Sequence, residues 1–311
     1  MRNRYVFPEV ATKAEAKIRA QVSAHGYDAI EDDREFARRL TEDLRAVCHD
    51  VHLRVGYSRD VLPERLDTGR PSAAELAEEL RLEREQNGGF SRVERLEGNV
   101  GYIRYDQVAS PVASREPLRA AMDLIARTEA LIIDLRTNHG GEPETVQMFC
   151  SYLFDRPTHL NDLWYRATGK TTAYWTSARV AGSRYLNRPV YIVVSRETGS
   201  AAEELAYDLQ ALRRATIVGE PTWGGANPGD DVRLTNHFHA FIPNGRAINP
   251  ITRTNWEGVG VIPDVKAPND ALKEAHGLAI QNLLTETTDV AKRARLTRAL
   301  KLVTKSDNGE E

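Results

Sequence analysis

The stretch PVYIVVSRETGSAAEELAYDLQALRRATIVGE at residues 189–220 decides the predicted fold of this 311-residue chain. Its apolar run at 191–194 is typical of a buried strand. A polar loop ending in Gly199 follows, then a helical pattern over 201–212 and a second apolar run over 215–218. Two short buried strands joined by a helix indicate a βαβ unit with parallel strands. The stretch therefore predicts an α/β fold with a largely parallel sheet.

The same alternation continues on both sides of this stretch. Residues 100–105 and 130–135 are further strand-like runs. Residues 238–242 and 247–248 flank an Asn-Gly pair and predict a β-hairpin. The basic pattern over 290–303 predicts a solvated surface helix. The remaining helical patterns of this part of the chain cover 114–126, 145–153 and 272–284.

The first third of the chain has a different character, because it is charged and rich in alanine. Helical patterns cover 10–22, 34–48 and 71–85, and residues 53–57 alternate like a strand. We therefore predict two domains, a small helical domain at 1–90 and an α/β core at 91–311.

Composition excludes several classes of protein. The 42 Lys and Arg residues against 45 Asp and Glu residues leave a net charge of −3, which argues against a nucleic-acid binder. No apolar run reaches the roughly 18–20 residues of a membrane span, and the basic N-terminus has no apolar stretch behind it, so we expect no signal peptide. The two cysteines, Cys48 and Cys150, exclude a disulfide framework and predict a cytoplasmic protein. The polar tail at 305–311 is the one short low-complexity segment.

Ser200 directly precedes a helical pattern and has two interpretations. It is either a helix N-cap, with Glu203 completing a capping box, or a nucleophile whose neighbouring amides stabilise an oxyanion. Two glycine-rich loops, at 134–141 and 219–226, also follow buried strands. Because the ends of parallel strands meet at one edge of a sheet, these loops and the Ser200 loop predict a site there.

Three motifs resemble the C-terminal processing (tail-specific) serine peptidases: DLRTNHGG at 134–141, SAAE at 200–203 and VGEPT at 218–222. Three further stretches are similar to the branch that contains the tricorn core protease and the modules of interphotoreceptor retinoid-binding protein. They are YVFPE at 5–9, HDVHLRV at 49–55 and NWEGVGVIPD at 255–264.

The fold that this resemblance implies is a crotonase/ClpP-like ββα spiral core preceded by a small N-terminal helical bundle. A PDZ domain commonly separates these parts in the processing peptidases, but residues 57–98 are too few for one. We therefore expect no PDZ domain.

The resemblance also implies an active site. Ser200 matches the nucleophile, and the oxyanion hole would consist of the Ala201 amide and that of Gly140 or Gly141. The tricorn-like branch implies His52 as general base and Glu257 as its support. The processing-peptidase branch uses a lysine 25 residues after the serine. Here that position is Gly225, and no lysine lies between Ser200 and Lys266, so we expect no serine–lysine dyad of that kind.

One residue departs from the tricorn-like pattern, because Val51 stands where that pattern has a serine linking the histidine to the glutamate. Glu257 would reach His52 directly, through water or through another residue, and Asp50 and His49 are substitute candidates. His49 and His52 are also spaced for a metal, but a third ligand is not evident. We therefore predict no metal and no organic cofactor.

The leading prediction is a serine peptidase or hydrolase that acts on a peptide or small acyl substrate. Two alternatives remain open: a non-catalytic retinoid- or lipid-type binding module, and a tailoring hydrolase acting on an ester, lactam or modified peptide. We expect no nucleic-acid or membrane partner. Peptidases of this kind often assemble, so a homo-oligomer is also expected, although no sequence feature sets its number.

Overall fold

The computed structural model describes residues 1–63 and 71–305, so the last six residues of the polar tail lie outside the described part. The chain divides into two compact units. The first consists of Met1–Glu79, Asn161–Ala173 and Gly224–Gly258, and the second of Leu80–Leu160, Tyr174–Trp223 and Val259–Glu311. Compactness does not test independent folding, so the domains predicted at 1–90 and 91–311 stay a prediction.

Eight α-helices and twelve β-strands occur within the described residues, numbered here in chain order. The helices are α1 (Pro8–Ser23), α2 (Asp33–Cys48), α3 (Ala73–Glu85), α4 (Pro111–Leu124), α5 (Pro143–Cys150), α6 (Ala201–Ala211), α7 (Ala271–Glu286) and α8 (Val290–Lys305). The strands are β1 (Arg54–Tyr57), β2 (Phe90–Leu96), β3 (Val100–Tyr105), β4 (Ala130–Asp134), β5 (His159–Tyr165), β6 (Lys170–Trp175), β7 (Val190–Val194), β8 (Thr216–Gly219), β9 (Gly229–Arg233), β10 (Phe238–Pro243), β11 (Gly245–Ile248) and β12 (Val265–Lys266).

The second unit is organised by a six-stranded sheet of order β12-β8-β7-β4-β3-β2. All neighbours in it are parallel except β2, which pairs antiparallel with β3. Strands β4 and β7 are buried along their whole length, as their apolar runs predict. The α/β fold is therefore confirmed, and the carboxyl ends of β4, β7 and β8 lie at one edge of the sheet.

Helices α7 and α8 cover one face of this sheet. The predicted solvated helix at 290–303 is only half right, because Leu296 and Ala299 of α8 are buried in the same apolar cluster as Ile280 of α7 and Ile132 of β4. These two positions are three residues apart and share one helix face. The many Lys and Arg residues around them dominate the sequence pattern, so this apolar stripe was not recognised from the sequence.

The first unit combines helices with a small sheet. Helices α1 and α2 pack by Ala14 and Leu44 against Leu53, and β10 lies between β1 and β9 in an antiparallel sheet. The helical patterns of the first third are confirmed to within three residues at each end. In the described part of the interval 57–98, the chain forms α3 and most of β2, and no PDZ domain is found there.

The predicted hairpin at 238–248 is wrong. The strands form, but β10 pairs with β1 and β9, whereas β11 pairs with β5. The amides of Asn244 and Gly245 both donate to the Pro228 carbonyl, at 2.9 and 3.1 Å, so the turn residues are held by the loop before β9. The Asn-Gly pair therefore separates two sheets instead of closing a hairpin.

Candidate active site

Ser200 lies where β7 turns into α6, at the carboxyl edge of the six-stranded sheet. Its backbone has φ +52° and ψ −122°, a conformation that costs a non-glycine residue free energy and is concentrated at functional sites. The residue is half-buried. This turn sets Ser200 at the amino end of α6, where the helix dipole and the first amides favour negative charge.

The three strand-end loops meet around Ser200, as the sequence predicts. The Gly199 amide donates to the Asn138 carbonyl at 2.9 Å, and the Trp223 amide donates to the Thr198 carbonyl at 3.0 Å. These two bonds tie the loops after β4 and β8 to the loop that carries Ser200.

Two glycines of the first loop approach the serine with positive φ, +101° at Gly140 and +143° at Gly141. A Cβ on Gly140 would lie 2.6 Å from the Ser200 Cβ and 2.8 Å from the Ala201 nitrogen. The Gly140 amide donates to Asn138 Oδ1 at 2.9 Å. In the part of the chain that the structure describes, the amides of Gly141 and Ala201 have no acceptor.

Glu203 stabilises the turn that carries Ser200. Its side chain is fully buried, and its Oε2 accepts the Ser200 backbone N–H at 2.8 Å. The Thr222 hydroxyl donates to its Oε1. The role of Glu203 follows from the predicted capping box. The contact of Thr222 was not predicted, although Thr222 belongs to the VGEPT motif at 218–222.

In the first unit, Asp50, His52 and Glu257 form a compact cluster. Each offers one ligand-type atom, and these atoms all lie within 4.8 Å of one another. Asp50 and His52 are buried, at 1% and 7% exposure. The structure thus brings His52 and Glu257 together, 205 positions apart in the chain, and adds Asp50, which the sequence offered only as a substitute.

Glu257 is held by backbone amides instead of a serine side chain. Its Oε1 accepts the Val51 N–H at 3.2 Å, and its Oε2 accepts those of Ala226 and Asn227, at 2.7 and 3.0 Å. The main chain at position 51 therefore makes a link to Glu257, even though Val51 has no polar side chain.

Asp50 has its own set of donors. Its Oδ1 accepts the His52 backbone N–H at 3.1 Å, and its Oδ2 accepts from Asn227 Nδ2 at 3.0 Å and the Tyr5 hydroxyl at 3.3 Å. Tyr5 and Asn227 were missed as functional residues, although Tyr5 belongs to the quoted stretch at 5–9. Asn227 had no signal, since only folding brings its loop to Asp50.

Burial determines the protonation states of the cluster. It lowers the pKa of His52 to about 4, with a further contribution from the positive charges of Arg54 and Arg45, so the imidazole is neutral at pH 7. Burial, and to a smaller extent the charge of Asp50, raise the pKa of Glu257 to about 7. Burial also raises the pKa of Asp50. A neutral histidine is the form that a general base requires.

The same three side chains are the ones that could hold a metal ion. Donors already engage both oxygens of Glu257 and both of Asp50, which leaves these carboxylates less available as metal ligands. His49 lies outside this group. It is exposed and ends α2 in the left-handed conformation, so it is wrong as a substitute partner of His52.

Further aromatic and histidine side chains of the second unit have ordinary structural roles. Tyr174 is buried and its hydroxyl donates to Glu144 Oε1 at 3.0 Å. Trp175 is half-exposed and stacks on His159 with ring centroids 4.4 Å apart. His139 is exposed beside the glycine loop, with Nδ1 3.0 Å from the Glu197 carbonyl.

Comparison with known proteins gives two family matches. The model described as Peptidase family S41 matches residues 99–267. The model described as the N-terminal domain of Peptidase S41 in eukaryotic IRBP matches residues 1–86. Both parts of the resemblance seen in the sequence are thereby confirmed.

Curated relatives match part of the chain. The chloroplastic carboxyl-terminal-processing peptidase 2 of Arabidopsis thaliana is 27% identical over 180 residues, 56% of this chain and 33% of that protein. The carboxyl-terminal-processing protease of a Synechocystis species is 32% identical over 135 residues, 40% of this chain and 28% of that protein. The matches thus span about a third of the length of these relatives.

Among solved structures, a lipoprotein from Streptococcus agalactiae has a TM-score of 0.57 at 14% identity, over 90% of this chain and 92% of that one. At this identity the likeness concerns the fold alone. In the described residues, no helix is both long and apolar enough to cross a bilayer.

Proposed function

We propose that this chain, which belongs to peptidase family S41, is a serine hydrolase that cleaves a peptide or a related acyl bond. The observation that carries the proposal is Ser200 itself. It stands in a strained turn at a helix start, with the amides of Gly141 and Ala201 without an acceptor among the described residues. An N-cap alone needs neither the strain nor the adjacent glycine loop.

In the proposed reaction, the Ser200 Oγ attacks the acyl carbon and forms a C–O bond, while its proton passes to His52. The carbonyl oxygen becomes an oxyanion that accepts from the amides of Gly141 and Ala201. We choose Gly141 over Gly140, because the Gly140 amide is already bonded to Asn138. The bond to the leaving group then breaks, and His52 returns the proton to it. Water hydrolyses the acyl-enzyme by the same sequence.

Burial lowers the pKa of His52 to about 4, so the imidazole is in the neutral form that accepts a proton, and nearby negative charge must raise its basicity during the reaction. Glu257 is the partner that the family resemblance implies for the orientation and charge of the imidazolium formed during the reaction. The serine and histidine parts are proposed to act together on the strength of the family resemblance.

The test is labelling by a fluorophosphonate probe together with hydrolysis of peptide, ester and lactam substrates. Wild-type protein should be labelled, and S200A should lose both labelling and hydrolysis while its circular dichroism spectrum is unchanged. S91A, which removes an exposed hydroxyl from β2, serves as the matched control and should label like the wild type. Undiminished labelling of S200A would overturn the proposal, and the substrate panel separates a peptidase from a tailoring hydrolase.

A second candidate function is the carriage of an apolar ligand. One observation favours it: the first unit has a cavity of about 680 Å³, within the usual range of ligand pockets. Its walls include Ile18, Leu40, Leu53 and Ile242. Mass spectrometry of a solvent extract of the purified protein would find a stoichiometric apolar ligand if carriage is the function, and none if it is not.

A homo-oligomeric state and a cytoplasmic location stay predictions. The two cysteines are free, which accords with a reducing compartment. Sedimentation of the purified chain and localisation of the tagged protein test them.

A further inference from the structure

Asp50 is the most completely buried member of the histidine cluster. It is 1% exposed and stands two residues before His52, between the end of α2 and the start of β1. A buried carboxylate is costly unless donors satisfy it. The hydrogen-bond donors around the Asp50 carboxylate therefore indicate its role.

Three segments of the first unit hold the Asp50 carboxylate. Tyr5 near the start of the chain and Asn227 in the loop before β9 fix Oδ2, and the backbone of His52 fixes Oδ1. This leaves the carboxylate in one orientation beside the histidine. The bond from the His52 amide also fixes the backbone from which the imidazole extends.

Glu257 is engaged differently, since within the described residues its carboxylate accepts from main-chain amides of other segments, at Val51, Ala226 and Asn227. These bonds join the loop before β9 to the segment before His52. Such contacts are those of a residue that holds two loops together.

We propose that Asp50 is the residue that positions His52 and stabilises its protonated form, while Glu257 mainly holds the surrounding loops in place. This inference rests on the proposed function, in which His52 is the general base. It reverses the roles expected from the resemblance, where the glutamate supports the histidine.

Charge favours the same division. Two buried carboxylates this close together do not both ionise easily, and the pKa of about 7 for Glu257 leaves Asp50 as the charged member at lower pH. The other charges that act on His52 are Arg45 of α2 and Arg54 of β1, and both oppose its protonation. In the proposed role, an ionised Asp50 carboxylate offsets them when the imidazole takes up the proton of Ser200.

The decisive comparison is between D50N and E257Q. In D50N we expect kcat to fall about 10–100-fold, by analogy with the range for residues that orient metal-bound histidines, with KM within about twofold of the wild type. In E257Q the loss of kcat should be smaller, while the loss of stability in urea should be larger. D50E should recover part of the kcat lost in D50N.

Asp43 provides the matched control. It is also a buried aspartate of the first unit, and its Oδ2 accepts from the Tyr27 hydroxyl at 2.9 Å. D43N should alter stability and leave kcat unchanged. Y5F removes one donor from Asp50 and should lower kcat by a few-fold, so it tests the inference even where D50N fails to fold.

A second readout does not depend on hydrolysis. Nitrogen-15 NMR of His52 in the S200A background reports the imidazole tautomer, which we expect D50N to change and D43N to leave as it is. An absence of hydrolysis and labelling in the wild type would overturn the proposed function, while this spectrum would still test Asp50. Unchanged kcat and tautomer in D50N and Y5F, or a larger loss of kcat in E257Q than in D50N, would overturn the role of Asp50.

Discussion

The Ser200 region of the second unit and the His52 region of the first unit are built by different means. Around Ser200, main-chain geometry dominates, with positive φ at Ser200, Gly140 and Gly141. Around His52, the important groups are buried side chains whose pKa values are shifted by loss of water. The comparison teaches that one region depends on backbone shape and the other on charge, so substitutions and pH should separate them.

The largest effect is expected for G140A. A methyl group there would lie 2.6 Å from the Ser200 Cβ and would displace the serine, and misplacement by about 1 Å costs about 10²-fold in rate. Labelling of Ser200 should slow by at least about that factor. G169A is the control, because Gly169 also has positive φ but a Cβ there meets nothing within 4 Å. Equal labelling rates in the two variants would mean that backbone shape does not control the serine.

The free energy of unfolding below pH 7 should reveal the lowered pKa of His52. Its pKa is about 4 in the folded protein against 6.5 as the ordinary value, so the unfolded state takes up the proton first as pH falls. Stability should be fully present above pH 6.5 and decrease towards pH 4, by about 3 kcal/mol in total for this group. Urea unfolding of wild type and H52Q between pH 4 and 7 measures it. A wild-type profile no steeper than that of H52Q would contradict this expectation.

E203A should weaken the serine region through its backbone. The variant removes the acceptor of the Ser200 N–H and of the Thr222 hydroxyl, and a lost buried bond costs about 1–3 kcal/mol. We expect lower stability and slower labelling, without a change in the acid slope assigned to His52. A change in that slope would break the separation between the two regions.

The smallest change in the pH profile of stability is expected for E257Q, and its sign is opposite to that of His52. The pKa of Glu257 is raised from 4.5 to about 7 in the folded state, so the folded protein holds this proton longer and loses stability as pH rises through about 7. E257Q should flatten the profile between pH 4.5 and 7, in part only, since Asp50 shares the charge. An unchanged profile in E257Q would show that the glutamate is ionised throughout this range in both states.

Local patterns predicted much of the fold. The apolar runs at 130–134 and 190–194 became buried strands β4 and β7, and the helical pattern after Ser200 became α6. Periodicity failed where a strand is half-exposed or short, as in β9 and β6, because such strands lack a continuous apolar run. For α8 the helix itself was predicted correctly, but its buried face was not, because the two buried positions stand among charged residues.

The site was predicted unevenly for a physical reason. Ser200 and the glycine loops lie at the ends of strands that the sequence itself reveals, so their meeting follows from parallel pairing. The contact of Asp50 with Asn227 joins residues 177 positions apart, and no local pattern encodes such a contact. His52 and Glu257 came from the resemblance to a family, which carries tertiary information that spacing lacks.

The sequence by itself determined the α/β class of the chain, the serine at the start of a helix and the glycines that permit close approach, because each depends on residues near one another in the chain. Only the tertiary structure decided that β10 and β11 join different sheets, that Glu257 bonds to the main chain at Val51, and that Asp50 lies beside His52. It also decided the protonation of these groups. Burial is a property of the assembled chain, and burial moves the pKa values on which the proposed chemistry depends.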